Sequence, residues 1–275
     1  MTKFFLGIFF FYKICFSQIT LSISEYHPFS EKIKILDLNP TIINWSIDNS
    51  FLLIDNLRKE FFKQDKFGDI NLSSFSNHNS NSYSDLIWIG VSPYGINVLD
   101  RLENKILYFD HNLNPISEIK MDKSLFPEFA AIDSWGILYL YSRAYNAIYI
   151  FEDNQLNKFP FINLNLVFSN SFCIKEISIN QDSELGILDC NGTVHLFNRN
   201  GKKKMSINST IEESEFLVSI RNDWLIFDVH GNGVSINNQK KILLPGSSIP
   251  IIDIASMNRS LAILSRDHIL IMNVK

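Results

Sequence analysis

Past residue 20 the chain has no segment that keeps apolar residues at i, i+3 and i+4 for three turns, which excludes long amphipathic helices. Catalytic signatures are missing too: there is no H-E-x-x-H, P-loop, G-x-S-x-G, G-x-G-x-x-G or EF-hand pattern. The six histidines, at positions 27, 78, 111, 195, 230 and 268, fall at no metal-ligand spacing. Basic clusters reduce to Lys202-Lys203-Lys204 beside Gly201, which reads as a solvated hairpin end. Nucleic-acid binding needs clustered Lys and Arg to neutralise phosphates, so a nucleic-acid partner is not expected. No Gly/Pro-rich linker divides the 275 residues, which predicts one domain.

Cysteine is scarce, at three residues. One of them, Cys15, lies in an N-terminal segment with the features of an export signal: Lys3, an apolar run over residues 4–12, and small residues ending at Ser17. The run is shorter than the roughly 20 residues a membrane span needs. The expected organisation is therefore a signal peptide over residues 1–17 and one domain over 18–275, secreted or periplasmic, with no transmembrane segment in the mature chain. The mature chain then carries a formal charge of −6, because only Lys3 and Lys13 leave with the signal. Cys173 and Cys190 remain, either as a disulfide, which such a compartment permits, or as two buried thiols.

What the chain does contain is a repeat. Apolar runs of four to seven residues end in Asp or Ser at positions 55, 100, 142, 189, 228 and 265, spaced by 45, 42, 47, 39 and 37 residues. Each is preceded by another apolar run, as in Leu86-Ile87-Trp88-Ile89, and most are followed by a third, as in Ile148-Tyr149-Ile150-Phe151. A more polar fourth segment follows in several copies, as in Pro115-Ile116-Ser117-Glu118-Ile119. Six copies of about 40 residues predict an all-β, six-bladed β-propeller with four-stranded blades. The sixth copy stops after its third strand, so an N-terminal strand is expected to complete it. The candidates are residues 32–38 and residues 19–23. Closure of that kind leaves no bare sheet edge.

One phrase carries a family resemblance: Gly95-Ile96-Asn97-Val98-Leu99-Asp100, a turn, then Asn104-Lys105-Ile106-Leu107-Tyr108-Phe109-Asp110. It resembles the NHL-type repeat of NHL and TolB-like six-bladed propellers. The resemblance implies a domain that binds proteins, glycans or other ligands, with a minority of such propellers acting as enzymes.

Candidate binding residues occupy the turn after each Asp or Ser anchor: Arg58, Arg101, Arg143 and Arg266, with His230 in a fifth copy. In a four-stranded blade these turns share a face with the inter-blade connections, and an arginine ring there suits an acidic protein surface or a small acidic ligand. The alternative is that they are solvated or pair with Glu60, Glu103 and Asp267. The expected function is a binding or interaction module, a monomer or a subunit of an envelope complex. No cofactor is expected. The competing reading is a hydrolase or lactonase-like enzyme with Ca²⁺ at the tunnel mouth, where Asp48, Ser92, Asp133, Asn180, Arg221 and Ser256 gather. These residue types are also ordinary turn formers. Trp45, Trp88, Trp135 and Trp224 are expected to pack between blades rather than to form a sugar platform.

Overall fold

A computed structural model of the chain describes residues 21–73, 83–168, 172–246 and 249–274. The expected signal peptide lies outside these residues. Six antiparallel sheets are arranged around an axis, each running from an innermost strand to an outer one.

Blade one comprises β2 (Ile42–Trp45), β3 (Phe51–Asp55), β4 (Glu60–Gln64) and β5 (Ile70–Leu72). Blade two comprises β6 (Leu86–Ser92), β7 (Gly95–Asp100), β8 (Lys105–Phe109) and β9 (Pro115–Lys120). Blade three has β10 (Phe129–Ile132), β11 (Leu138–Ser142) and β12 (Ala147–Glu152), with two short outer pieces, β13 (Gln155–Leu156) and β14 (Ile162–Asn163), both pairing with β12. Blade four holds β15 (Ile174–Ile179), β16 (Leu185–Asp189), β17 (Thr193–Phe197) and β18 (Lys203–Asn208). Blade five holds β19 (Phe216–Ile220), β20 (Asp223–Phe227), β21 (Asn232–Ser235) and β22 (Lys241–Leu243). Blade six holds β23 (Asp253–Met257), β24 (Ser260–Leu264) and β25 (His268–Val274), and its outer strand is β1 (Leu21–Pro28).

The N-terminal strand therefore closes the ring, with Leu21 opposite Val274 and Pro28 opposite His268. Of the two expected candidates, residues 32–38 do not form the strand: Glu31–Ile35 is a single helical turn, α1. Its Lys/Ile alternation imitates period two, but a strand would put Ile33 and Ile35 on one face. Here Ile33 is 1% exposed and Ile35 is 79% exposed. The other candidate overlaps the first residues of β1.

The core consists of seams rather than one central mass. Every residue of β3 is buried, and its alternate side chains point to opposite faces. Phe51 and Leu53 pack with Ala262 and Leu264 of blade six, whereas Leu52 and Ile54 pack with Ile96 and Val98 of blade two. Six such clusters fill the six inter-blade gaps. The second strand of each blade is predominantly apolar because both of its faces are covered.

The recurring Asp has a structural cause. Asp55 is fully buried and accepts the backbone N–H groups of Arg58 at 2.9 Å and Asn39 at 2.6 Å. Asp100 accepts those of Glu103, Ser84 and Asp85. One carboxylate thus caps the turn that follows it and ties down the connection entering its blade. Cys173 and Cys190 are joined in a disulfide, with Cα atoms 5.5 Å apart, and Cys190 N–H also donates to Cys173 O.

Two predictions follow from closure and seam packing. Deleting residues 21–28 exposes the edge of β25 and should lower the melting temperature by about 10 °C or more, measured by calorimetry; an unchanged transition would refute the closure. A Cβ at Gly186 would lie 2.7 Å from the Trp224 ring across the seam between blades four and five. Gly186→Ala should therefore cost about 1–3 kcal/mol in a denaturant titration.

Candidate functional site

The disc has two faces. One carries the turns between second and third strands together with the inter-blade connections. The other carries the turns between first and second strands and between third and fourth.

On the first face, Arg101 donates to Asp85 at 2.6 Å and Arg143 pairs with Glu128 at 2.7 Å. Arg58 pairs with the Asp37 carboxylate and donates to the Asp37 carbonyl at 2.6 Å. The acids come from the connection entering the same blade, not from Glu60, Glu103 or Asp267 as the sequence suggests, because each turn packs over that connection. Glu103 instead accepts from Ser84, and Asp267 pairs with His268. Arg266 and His230 are exposed. His230 lines a cavity of about 860 Å³ with Glu212, Glu213 and Lys241.

Apolar side chains stand beside the paired arginines. Leu57 is 85% exposed and Leu102 is 62% exposed, each next in sequence to its arginine, and Tyr145 lies two residues beyond Arg143. Ile35 of α1 and Leu36 just after it, Phe126 and Leu166 continue this exposed apolar set on the connections.

Along the axis runs a channel of about 520 Å³ lined by the six innermost strands. Two carboxylates within it were not singled out from the sequence, Glu176 and Asp253. Asp253 accepts N–H groups from Ile254 of its own strand and Ile43 of blade one, both at 2.8 Å. Glu176 accepts the N–H of Leu217 in blade five, and a bulge at residues 174–176 breaks the register where it sits. Both are accessible only from within the channel, with protein on every side. Burial pushes Asp253 up to about 7. Burial also holds Glu176 well above the carboxylate range, and repulsion from Asp253 adds to the rise. A signal for them exists in the sequence: each is an acid inside an apolar inner run, Ile174-Lys175-Glu176-Ile177 and Ile252-Asp253-Ile254.

At the mouth on the second face, three of the residues proposed as calcium ligands already accept hydrogen bonds from the chain. Asp48 accepts from Ser50 and Lys63, Asp133 from Trp135 and Ile137 N–H groups, and Asn180 from those of Asp182 and Glu184. Among the described residues no three His, Cys, Asp or Glu side chains form a metal-binding group.

The tryptophans divide. Trp45 and Trp224 are buried, and Trp88 packs in the seam between blades two and three. Trp135 does not pack between blades as expected: it is 75% exposed. The turn from Asp133 to Ile137 lifts it out of the sheet, with Gly136 at a φ of +89° completing the bend.

No protein-family model and no curated protein matches this chain. Solved structures do match it. A streptogramin B lyase aligns with a TM-score of 0.63 at 12% identity, covering 94% of this chain and 98% of that one. Virginiamycin B lyase from Staphylococcus aureus aligns at 0.59 and 14% identity, covering 85% and 80%. YCF48 bound to D1 peptide aligns at 0.60 and 10% identity, covering 86% and 78%. At these identities the likeness establishes the six-bladed propeller fold and nothing about chemistry.

The channel carboxylates set a pH dependence. A carboxyl whose folded pKa exceeds its unfolded value of about 4 binds more protons when folded, so its stabilisation is complete below about pH 4 and is lost as pH rises towards 7. Thermal melts should therefore show lower stability at pH 8 than at pH 5. Glu176→Gln keeps an acceptor for Leu217 and removes the repulsion, so it should raise the melting temperature by a few degrees at pH 8 and little at pH 5. Equal shifts at both pH values would rule out the coupling.

Proposed function

We propose that the protein is an exported interaction propeller that docks a partner protein on the face bearing its second-to-third-strand turns. The observation that carries this reading is the repetition, in three consecutive blades, of an exposed apolar side chain beside an ion-paired arginine: Leu57 with Arg58, Leu102 with Arg101, Tyr145 with Arg143. Apolar and aromatic groups with arginine are the composition of binding hot spots, and each ion pair holds its guanidinium in a fixed direction. The three arginines keep part of their surface open, with Arg143 the most exposed. An acidic rim on the partner would complete the match, and Arg266 adds a further exposed cation. YCF48, a propeller of similar fold, is solved with a bound peptide, which shows such a scaffold in a binding role.

Export is supported by the N-terminal sequence and by the Cys173–Cys190 disulfide, because disulfides persist in oxidising compartments. Among the described residues no helix is long and apolar enough to cross a membrane. The reading requires neither a metal nor a catalytic group.

The test is affinity capture from extracts of the source cells with the mature chain and two variants. Leu57→Asp with Leu102→Asp should abolish capture of the partner, and Arg101→Ala with Arg143→Ala should weaken it at least tenfold. Both variants should melt within about 3 °C of the parent, since exposed substitutions change stability little. Unchanged capture by both would overturn the assignment of this face.

A further inference from the structure

The opposite face holds a second feature, a polar trench around the channel mouth. Between blades three and four lies a depression of about 440 Å³, with Trp135 on one wall and Arg199 on the other. Between blades four, five and six lies another of about 740 Å³, flanked by Arg221 and Arg259. Gln181 lines both, so they form one curved trench, and Asn258 joins it to a third depression between blades six and one.

The trench offers hydrogen-bond donors that no side chain among the described residues engages. Among the described residues, Arg199, Arg221 and Arg259 have no ion-pair partner, and the amides of Gln181, Asn222 and Asn258 have no side-chain hydrogen bond. The acids along the trench are mostly spent. Asp133 accepts from Trp135 and Ile137 N–H groups and from Ser183 Oγ, and Asp223 accepts from Trp224 N–H and Ser235 Oγ. Asp182 is the one acid of these walls that remains exposed and uncommitted. At one end stands the exposed Trp135, and Tyr94, 83% exposed, lies beside it, its ring near Gly136.

Arg221 stands on the wall of this trench. It holds a φ of +55° in the two-residue turn between β19 and β20, a conformation that glycine adopts without strain and a long side chain does not. Asn49, Ser183 and Asn258 hold the same left-handed conformation in the matching turns of blades one, four and six, so the bend belongs to the repeat and a glycine at 221 preserves it.

We infer that this trench binds an acidic oligosaccharide of the uronate type. The Trp135 ring offers a platform for a pyranose face. The guanidinium forks of Arg221 and Arg259 match sugar carboxylates in a bidentate manner. Side-chain amides both donate and accept, as vicinal hydroxyls require. An acidic peptide fits less well, because a peptide is anchored by apolar side chains in pockets and these walls are built of amides and charges. The site lies on the other face from the protein-docking ring and is independent of it.

The experiment is titration calorimetry of the mature chain with hexamers of galacturonate, mannuronate and hyaluronan, against neutral cellohexaose and a polyglutamate peptide. At least one uronate hexamer should bind with a dissociation constant of about 1 mM or tighter and weaken as salt rises, and cellohexaose should not bind. Arg221→Gly should lose at least tenfold in affinity while melting at or above the parent temperature, which a purely structural arginine would not do. Trp135→Ala and Arg259→Ala should each lose about tenfold, and the Leu57→Asp, Leu102→Asp variant should bind the hexamer normally. Absence of binding by every uronate, equal binding of cellohexaose, tighter binding of polyglutamate, or full affinity in both Arg221→Gly and Trp135→Ala would overturn the inference.

Discussion

A blade of this propeller has two apolar faces and can bury both only if a neighbour stands on each side. That constraint governs the rest of the structure. Phe51 and Leu52 are adjacent in sequence yet belong to different seams, because successive strand residues point to opposite faces. A row of such blades would leave two sticky ends, so the ring must close, and β1 closes it from the far end of the chain. Blade six is thereby assembled from residues that are some 250 positions apart, and the N-terminus becomes part of the last seam through Phe29 and Ile33.

The same geometry explains where polar groups sit. Around the axial channel, neighbouring blades are bridged by hydrogen bonds. Asn44 reaches Ile89 O, Ser219 reaches Ile179 O, and Trp45 reaches Ala255 O. Asp253 and Glu176 belong to this set, and as carboxylates in a narrow channel they bridge blades at an electrostatic cost that neutral groups avoid. Further out, the buried aspartates at positions 55, 100, 189 and 228 satisfy turn N–H groups that would otherwise be left without partners. The Asp of the repeat is thus a folding element that happens to stand beside the arginine-bearing turns.

The two faces of the disc then differ in kind. One presents apolar side chains beside arginines that are already paired, a surface whose charges are fixed in place. The other presents, among the described residues, arginines without ion-pair partners and amides around an exposed tryptophan. A scaffold held by seams leaves both sets of turns able to vary, since neither carries the core.

The sequence by itself determined the number of blades and the strand order within each, because short apolar runs punctuated by Asp at a 40-residue period have few other solutions. It also determined that Arg58, Arg101 and Arg143 share a face. Tertiary structure alone decided three matters. The pairing of those arginines with Asp37, Asp85 and Glu128 depends on connections packing under the turns, which no local spacing reveals. The exposure of Trp135, against the burial of Trp45 and Trp224, depends on which side of a turn residue lifts the ring off the sheet. The repulsion between Glu176 and Asp253 depends on the inner strands of blades four and six both lining the axial channel, which no local spacing reveals.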